Sequence, residues 1–190
     1  LPETGITAAA AAQIAAFNGF LSDVYGLCGT SCTFDVQSGY EKAVNGLLPV
    51  MAGANWISGF GAMASLMVAS YEQLVIDNEI FGLLKKIAQG VTVNEDTLGL
   101  DVISSAVKGN MILADPHTIK HLRGGEIFIP KLGFDSVWND WDNAGCKDMQ
   151  SVARERVYEL LKQDEVIPLP EELDEEVNGI LNAAAAELVK

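Results

Sequence analysis

Basic residues are scarce in this chain. Twelve Lys and Arg stand against 26 Asp and Glu, for a net charge of -14. That field repels a polyphosphate backbone and an anionic membrane surface, and it favours a cationic substrate or a basic protein partner. Nucleic acid and membrane are therefore not expected as partners. Long apolar runs are also missing. A membrane span needs about 18 or more consecutive apolar residues, and the longest stretches, residues 8–16 and 59–69, are interrupted by Gln13 or diluted with Ala, Gly and Ser. No basic segment precedes the apolar N-terminal stretch, so no secretory signal is read and the cytoplasm is the expected compartment. There are three cysteines, an odd number, which argues against a disulfide framework. No internal repeat is found. Leu1, Pro2, Glu3, Thr4 and Gly5 spell a sortase recognition sequence. A helical pattern follows it rather than an apolar stretch and a basic tail, so the match reads as coincidence or an engineering scar.

What is present is ordinary globular material. Hydrophobic residues make up 49% and charged residues 20% of 190 positions, which rules out disorder of the whole chain and suggests one domain, with or without an appendage. Ile6, Ala9, Ala10, Gln13, Ile14 and Phe17 share one helix face, with Gly19 beyond the end. Residues 22–30 read as a buried strand running into a Gly/Ser/Thr/Cys loop. Asp35 stands where an N-cap belongs, ahead of a helix carrying Val36, Tyr40, Ala43, Val44, Leu47, Leu48 and Met51 at helical spacing. Pro49 should kink that helix and Gly53 should stop it. Residues 55–58 are a second short strand, and Gly59, Phe60 and Gly61 a tight loop. A long helix is expected from Ser65 to Gly90, with Met67, Tyr71, Leu74, Phe81 and Leu84 on one face. Another is expected from Asn94 to Val107. Residues 109–144 are irregular and rich in aromatics. A charged helix follows at residues 151–163, then a linker at 164–170 and a last helix opened by Pro170, Glu171 and Glu172.

Helix, strand, helix, strand, helix, then helices alone is the tail of an alternating α/β fold. Two strands separated by a helix pair in parallel. They neither close a barrel nor make a stable sheet alone, and a (β/α)8 barrel takes roughly 250 residues. The fold class read from this order is α/β, the C-terminal portion of such a barrel, with two parallel strands, long helices and a helical C-terminal extension. Residues 1–108 are the closing βα units, 109–163 the extension, and 164–190 an acidic linker and terminal helix. Unpaired strand edges predict self-association, as a homo-oligomer or with a companion barrel chain.

Residues 35–79 then carry a resemblance. Asp35, Gln37, Gly39, Tyr40, Glu41, Lys42 and Ala43 form a D-x-Q-x-G-Y-E-K-A helix start. Gly53, Ala54 and Asn55 form a G-A-N strand entry, and Ser70, Glu72, Leu74, Val75, Asp77, Asn78, Glu79 and Ile80 an S-x-E-x-L-V-x-D-N-E-I helix. His117, Thr118, His121, Phe128, Pro130, Lys131 and Leu132 add an H-T-x-x-H…F-x-P-K-L block. Together they resemble the trimethylamine methyltransferase family, from about residue 2 to 161. Ser58 and Ala64 depart from the family pattern, which has a His and an acidic residue there. No pyrrolysine, which one branch carries, occurs here. The resemblance implies transfer of a methyl group from a tertiary or quaternary amine, such as trimethylamine or glycine betaine, to a corrinoid protein, within one-carbon metabolism such as methanogenesis. The corrinoid then arrives with its carrier, and no cofactor need bind this chain alone. The rival reading is a non-catalytic barrel fragment or subunit that needs another chain to complete the site.

Chemistry in a barrel sits at the C-terminal ends of the strands, here residues 28–34 and 58–63. Cys28 and Cys32 flank the first loop, as substrate contacts, metal ligands or thiolates, or as small buried residues. Asp35 and Gln37 are candidate hydrogen-bond partners for substrate, Asp35 equally a plain N-cap. Trp56, Phe60 and Tyr25 offer aromatic faces to a quaternary ammonium, or packing. Alternation groups Ser58 with Phe60 and Trp56. Glu72 is the best placed acid of the long helix, while Asp77 and Glu79 read as a solvated or packing face. His117 and His121, at i and i+4, share a helix face and with Cys146 could make a zinc site, but no third ligand stands in register and Pro116 marks His117 as a helix start, so no metal is expected.

Overall fold

The computed structural model describes residues 2–163 and 168–188. They are mostly helical. Two compact units are present, residues 1–158 and 159–190. In the first, helix α1 (Pro2–Phe17) leads to strand β1 (Asp23–Tyr25), helix α2 (Val36–Met51) and strand β2 (Trp56–Ser58). β1 and β2 pair in parallel, with Asp23 opposite Trp56, Val24 opposite Ile57 and Tyr25 opposite Ser58. The strand running into a loop expected at residues 22–30 is there, its strand part three residues long. Gly26 and Leu27 still donate backbone hydrogen bonds to Ser58 O, and the chain then leaves as a loop.

Asp35 caps α2 as its position predicts, its side chain accepting from the Ser38 amide. Pro49 lies inside the helix, which continues to Met51. The buried faces of α1 and α2 are not the predicted ones. α1 buries Gly5, Ala8 and Ala12 and leaves Ile6, Ile14 and Phe17 exposed. The residue that ends the sortase-like motif, Gly5, is part of that packed face, and a Cβ there would meet Asn45 Cα at 3.1 Å. α2 buries Ser38, Glu41, Lys42, Asn45, Gly46 and Pro49, while Val36, Tyr40, Val44, Leu48 and Met51 are exposed. Apolar periodicity identifies an apolar stripe; it does not say that the described residues contain the partner of that stripe.

After β2 the chain forms a feature that periodicity misses. Strands β3 (Ala62–Met63) and β4 (Val68–Ala69) pair antiparallel as a small hairpin. Ala64, Ser65 and Leu66 at its tip have positive φ, so no helix starts at Ser65. Helix α3 (Tyr71–Gln89) begins six residues later than that, capped by Ser70 and ended at Gly90. The expected helix from Asn94 to Val107 is two. Asn94 caps α4 (Glu95–Leu98) with a reciprocal Thr97 bond, and Gly99, left-handed at φ +58, separates it from α5 (Leu100–Val107). Residues 109–144 hold a 3-10 turn (Ile112–Ala114), α6 (Pro116–Arg123) and α7 (Trp138–Asn143). α8 (Met149–Gln163) follows.

Ala8, Val24, Leu27, Ile57 and Leu84 form one core, with Phe60 and Phe81 packed on it. Ile76, Leu132 and Ala153 form a second, which ties α3 to α8 and to the loop at residues 130–133. Glu79 fixes that loop by accepting from the amides of Lys131, Leu132 and Gly133 at 2.6, 2.7 and 2.9 Å. Glu79 is therefore a loop clamp. In the second unit, α9 (Glu171–Leu188) starts after Pro170 and buries none of its residues. The linker expected at 164–170 falls partly on residues 164–167, outside the described residues.

Candidate functional site

The loops that follow β1 and β2 are held by carboxylates from the helices. Glu41 of α2 accepts from Thr30 N at 2.6 Å, Thr30 Oγ1 at 2.8 Å, Ser31 N at 3.2 Å and Gln37 Nε2 at 2.9 Å. Burial alone would raise its pKa, but the bonds from Gln37, Thr30 and Ser31 prevail and hold it down at about 2. Asp77 of α3 is the second anchor. Its Oδ2 accepts from Lys42 Nζ at 2.6 Å and from Gly61 N at 2.7 Å, and its Oδ1 from Gln73 Nε2 at 2.6 Å. Lys42 also donates to Leu27 O at 3.0 Å, and Ser38 Oγ to Gln73 Oε1 at 2.8 Å. One buried ion pair thus links the end of β1 to the turn after β2. Burial is the largest influence on the Asp77 carboxyl and pushes it up, with the bond and charge of Lys42, Gln73 and the Gly61 amide opposing. Asn55 joins the strand starts, accepting from Ser22 N at 3.0 Å and donating its own amide to Ser22 Oγ at 3.2 Å.

These braces set a strand pair with two unlike faces. Val24 and Ile57 point into the core. Asp23 and Tyr25 from β1 and Trp56 and Ser58 from β2 point the other way. Tyr25 is 56% and Trp56 66% exposed, so the described residues leave much of that face uncovered. Ser58 Oγ donates to Asp23 Oδ1 at 2.6 Å across it. The face therefore offers a carboxylate, a hydroxyl and two aromatic rings side by side, the chemistry that attracts an alkylated ammonium.

The other residues read from the sequence lie elsewhere. Phe60 does not share the face with Trp56 and Ser58. The strand ends at Ser58, Gly59 takes φ +100, and the ring turns into the core, edge-on to Phe81 at 5.3 Å. Cys28 is half-buried beside Gly59, where a Cβ would stand 2.5 Å from its sulfur. Burial pushes the Cys28 thiol up, Lys42 opposing and Asp77 adding. It is therefore a protonated packing group rather than a thiolate at neutral pH. Cys32 is exposed, its sulfur 3.9 Å from Thr30 O, and both cysteines are free. Asp35 works as the cap of α2 and accepts from Ser31 Oγ at 3.1 Å. Gln37 supports Glu41. Glu72 accepts from Ser70 Oγ at 2.8 Å and lies 3.6 Å from Arg154 Nε. The Ser70 bond holds its carboxyl below the usual range, with Arg154 contributing. His117 and His121 do come together, but their third neighbour is Asp96. Cys146 is turned to Asp142 at 3.2 Å, so the alternative set of His117, His121 and Cys146 does not form.

Sequence reasoning missed Asp23 as a site residue, although alternation along residues 23–25 places it beside Tyr25. It also missed the Lys42 and Asp77 pair, whose partners are 35 residues apart. The only available signal was the presence of a Lys and an Asp on helix positions that both lie off the apolar stripe.

The comparisons with known proteins agree on one family. The family model of trimethylamine methyltransferase (MTTB) matches residues 1–188. The trimethylamine methyltransferase MttB of Methanosarcina barkeri is 38% identical over 183 residues, 96% of this chain and 37% of that protein. The enzyme of that name from Desulfitobacterium hafniense (strain DSM 10664 / DCB-2) is 32% identical over 180 residues, 95% of this chain and 36% of its own length. The glycine betaine methyltransferase of Desulfitobacterium hafniense (strain Y51) is 30% identical over 187 residues, 98% of this chain and 38% of that protein. The chain spans somewhat more than a third of the relatives it matches. With the match running through both strands and the helices that brace them, this chain belongs to the trimethylamine methyltransferase family.

Proposed function

We propose that the chain supplies two closing βα units of a (β/α)8 methyltransferase barrel, and that the face bearing Asp23, Tyr25, Trp56 and Ser58 forms part of the barrel interior that receives a methylated amine. The observation that carries this reading is the contrast between the two strand faces, one packed in the core and the other polar, aromatic and largely exposed. The relatives' names add trimethylamine and glycine betaine as the amines to test first. A net charge of -14 favours a cationic substrate.

In the transfer, the bond between the methyl carbon and a positively charged nitrogen breaks. The nitrogen keeps the bonding pair and leaves as a neutral amine, so little acid catalysis is needed. A corrinoid carried by a separate protein supplies the nucleophilic acceptor of the methyl group. Residues of this chain orient the nitrogen. Tyr25 and Trp56 offer their faces, and Asp23, fixed by Ser58, offers charge at one side. Aromatic faces suit this task because they add attraction without a second full charge that would over-stabilise the ground state. Glu41 and the Lys42 and Asp77 pair act as positioning residues for the strand-end loops. The exposed rim at Thr30, Cys32 and Ser65 is a fixed surface against which a carrier can dock.

The experiment is methylation of Co(I) cobalamin by glycine betaine or trimethylamine, followed by absorbance. It is run with this chain alone and within a complete barrel. Turnover by the chain alone would establish a self-sufficient site. Turnover only in the complete barrel would favour the reading in which another stretch of polypeptide finishes the site. Silence in both sinks the proposal. Trp56→Ala and Tyr25→Ala should each lower kcat/KM through a loss of about 0.5–2 kcal/mol, or about 2- to 30-fold.

A further inference from the structure

Away from the strands, α4 and α6 bring three potential ligands together. Asp96 lies in the first turn of α4, and His117 and His121 stand one turn apart on α6. One donor atom from each can be chosen so that all three lie within 4.8 Å of one another. His121 Nε2 is 3.2 Å from Asp96 Oδ2, and the two imidazole rings are 4.4 Å apart between centroids. Two donors held 2.0–2.2 Å from one tetrahedral ion lie about 3.4 Å apart, so the His121 and Asp96 spacing is that of neighbouring ligands. His121 Nε2 is also buried with no hydrogen-bond partner, despite its closeness to the carboxylate. A buried ring nitrogen thus stands beside a carboxylate oxygen without a hydrogen bond to it, an arrangement that an ion shared by both would satisfy. The opposite nitrogen, Nδ1, faces Glu126 Oε1 at 3.7 Å.

We propose that Asp96, His117 and His121 form a divalent transition-metal site, with zinc as the ion and water as the fourth ligand, that staples α4 to α6. Two nitrogens and one oxygen on four-coordinate geometry suit zinc. His117 Nε2 lies 2.6 Å from the Asp96 carbonyl oxygen and 3.9 Å from Asp96 Oδ1, so binding exchanges one local contact for a metal bond. Lys120 is the competitor. Its exposed ammonium sits on Asp96 Oδ2 at 2.7 Å and swings into solvent when an ion takes the carboxylate. Gly99 follows α4 directly, and a Cβ there would press on His117 Cε1 at 3.3 Å, so the break between α4 and α5 also leaves room for the ring.

The test uses the untagged protein, stripped with chelator and dialysed against Zn(II), with bound metal counted and Co(II) titrated by visible absorption. One ion per chain and a tetrahedral Co(II) spectrum are expected. Binding should weaken at least about tenfold in His121→Ala and in Asp96→Asn. Asp96 is exposed, so the second variant keeps the test usable should the first fail to fold. Lys120→Ala should bind as tightly as the parent or more tightly, because it removes the competing charge. Three results would overturn the site: no stoichiometric ion, binding that survives both ligand variants, or a loss in Lys120→Ala equal to theirs. The last would mark the cluster as an ion-pair network alone.

Discussion

The two faces of the β1 and β2 pair are built of unlike residues. Val24 and Ile57 meet Leu27, Leu84 and Ala8 in the core. On the reverse, Ser58 bonds Asp23, and Tyr25 and Trp56 are more than half exposed. The first face serves folding and the second is free to serve recognition. Around them the usual division of labour is reversed: the helices that brace the strands bury Lys42, Glu41, Gln73 and Asp77 and expose much of their apolar surface. Buried polar groups are tolerated only when satisfied. Here they are, and what they satisfy is the backbone of the two strand-end loops.

The largest expected effect follows from breaking that arrangement at its most buried point. Removing one partner of the Lys42 and Asp77 pair leaves an uncompensated charge and strips Gly61 N or Leu27 O of its contact. Asp77→Ala and Lys42→Met should each destabilise by about 3–5 kcal/mol in urea unfolding. The double variant Lys42→Met with Asp77→Leu should recover a large part of that loss, since burying neither charge avoids the desolvation cost. If the double variant is as unstable as the sum of the two, the pair is not what holds the loops.

A smaller effect attaches to Glu41, and it has a pH signature. Its pKa lies at about 2 in the folded chain, below the ordinary carboxylate value. A carboxyl depressed on folding contributes stability that is present above its unfolded pKa of about 4.3 and is lost as pH falls toward the folded value. Glu41→Gln should therefore cost about 1–3 kcal/mol at neutral pH. The gap between parent and variant should narrow steadily below about pH 4.3. Thermal melts across that range give the readout. A gap that stays constant with pH would show that shape, not charge, fixes the loop at Thr30 and Ser31.

How far the sequence reveals this contrast depends on whether the relevant partner is local. Caps are local, and Asp35 and Asn94 are read correctly because each bonds an amide three residues ahead. The parallel pairing of residues near 24 and 57 is legible from two apolar runs around a helix. The hairpin at residues 62–69 is not, because its strands have two residues each and its tip places three non-glycine residues at positive φ, which no periodicity announces. Ser70, which caps α3, is hidden behind an apolar run that looks helical from Ser65 onward. The inverted faces of α1 and α2 are the deepest case. Ile6, Ile14 and Phe17 do form a stripe, but small residues on the other side, Gly5, Ala8 and Ala12, allow the close approach to α2. Of the site itself, Trp56 and Ser58 are legible from alternation, Phe60 is not once Gly59 turns the backbone, and Lys42 with Asp77 requires the fold.

The smallest expected effect on stability is also the sharpest test of the two-face contrast. Tyr25 and Trp56 lie on exposed strand positions outside the core clusters, so truncation to Ala should change unfolding free energy by no more than about 0.5 kcal/mol. Val24→Ala, one residue away in the same strand, removes two methyl groups from the packed face and should cost about 1–3 kcal/mol. Urea unfolding of the three variants, set beside their turnover in a complete barrel, separates the roles. Loss of turnover without loss of stability at Tyr25 and Trp56, and loss of stability first at Val24, is the pattern that two specialised faces require. Equal destabilisation at all three positions would mean that the uncovered face is itself part of the packing, and the aromatic rings would then lose their claim to the substrate.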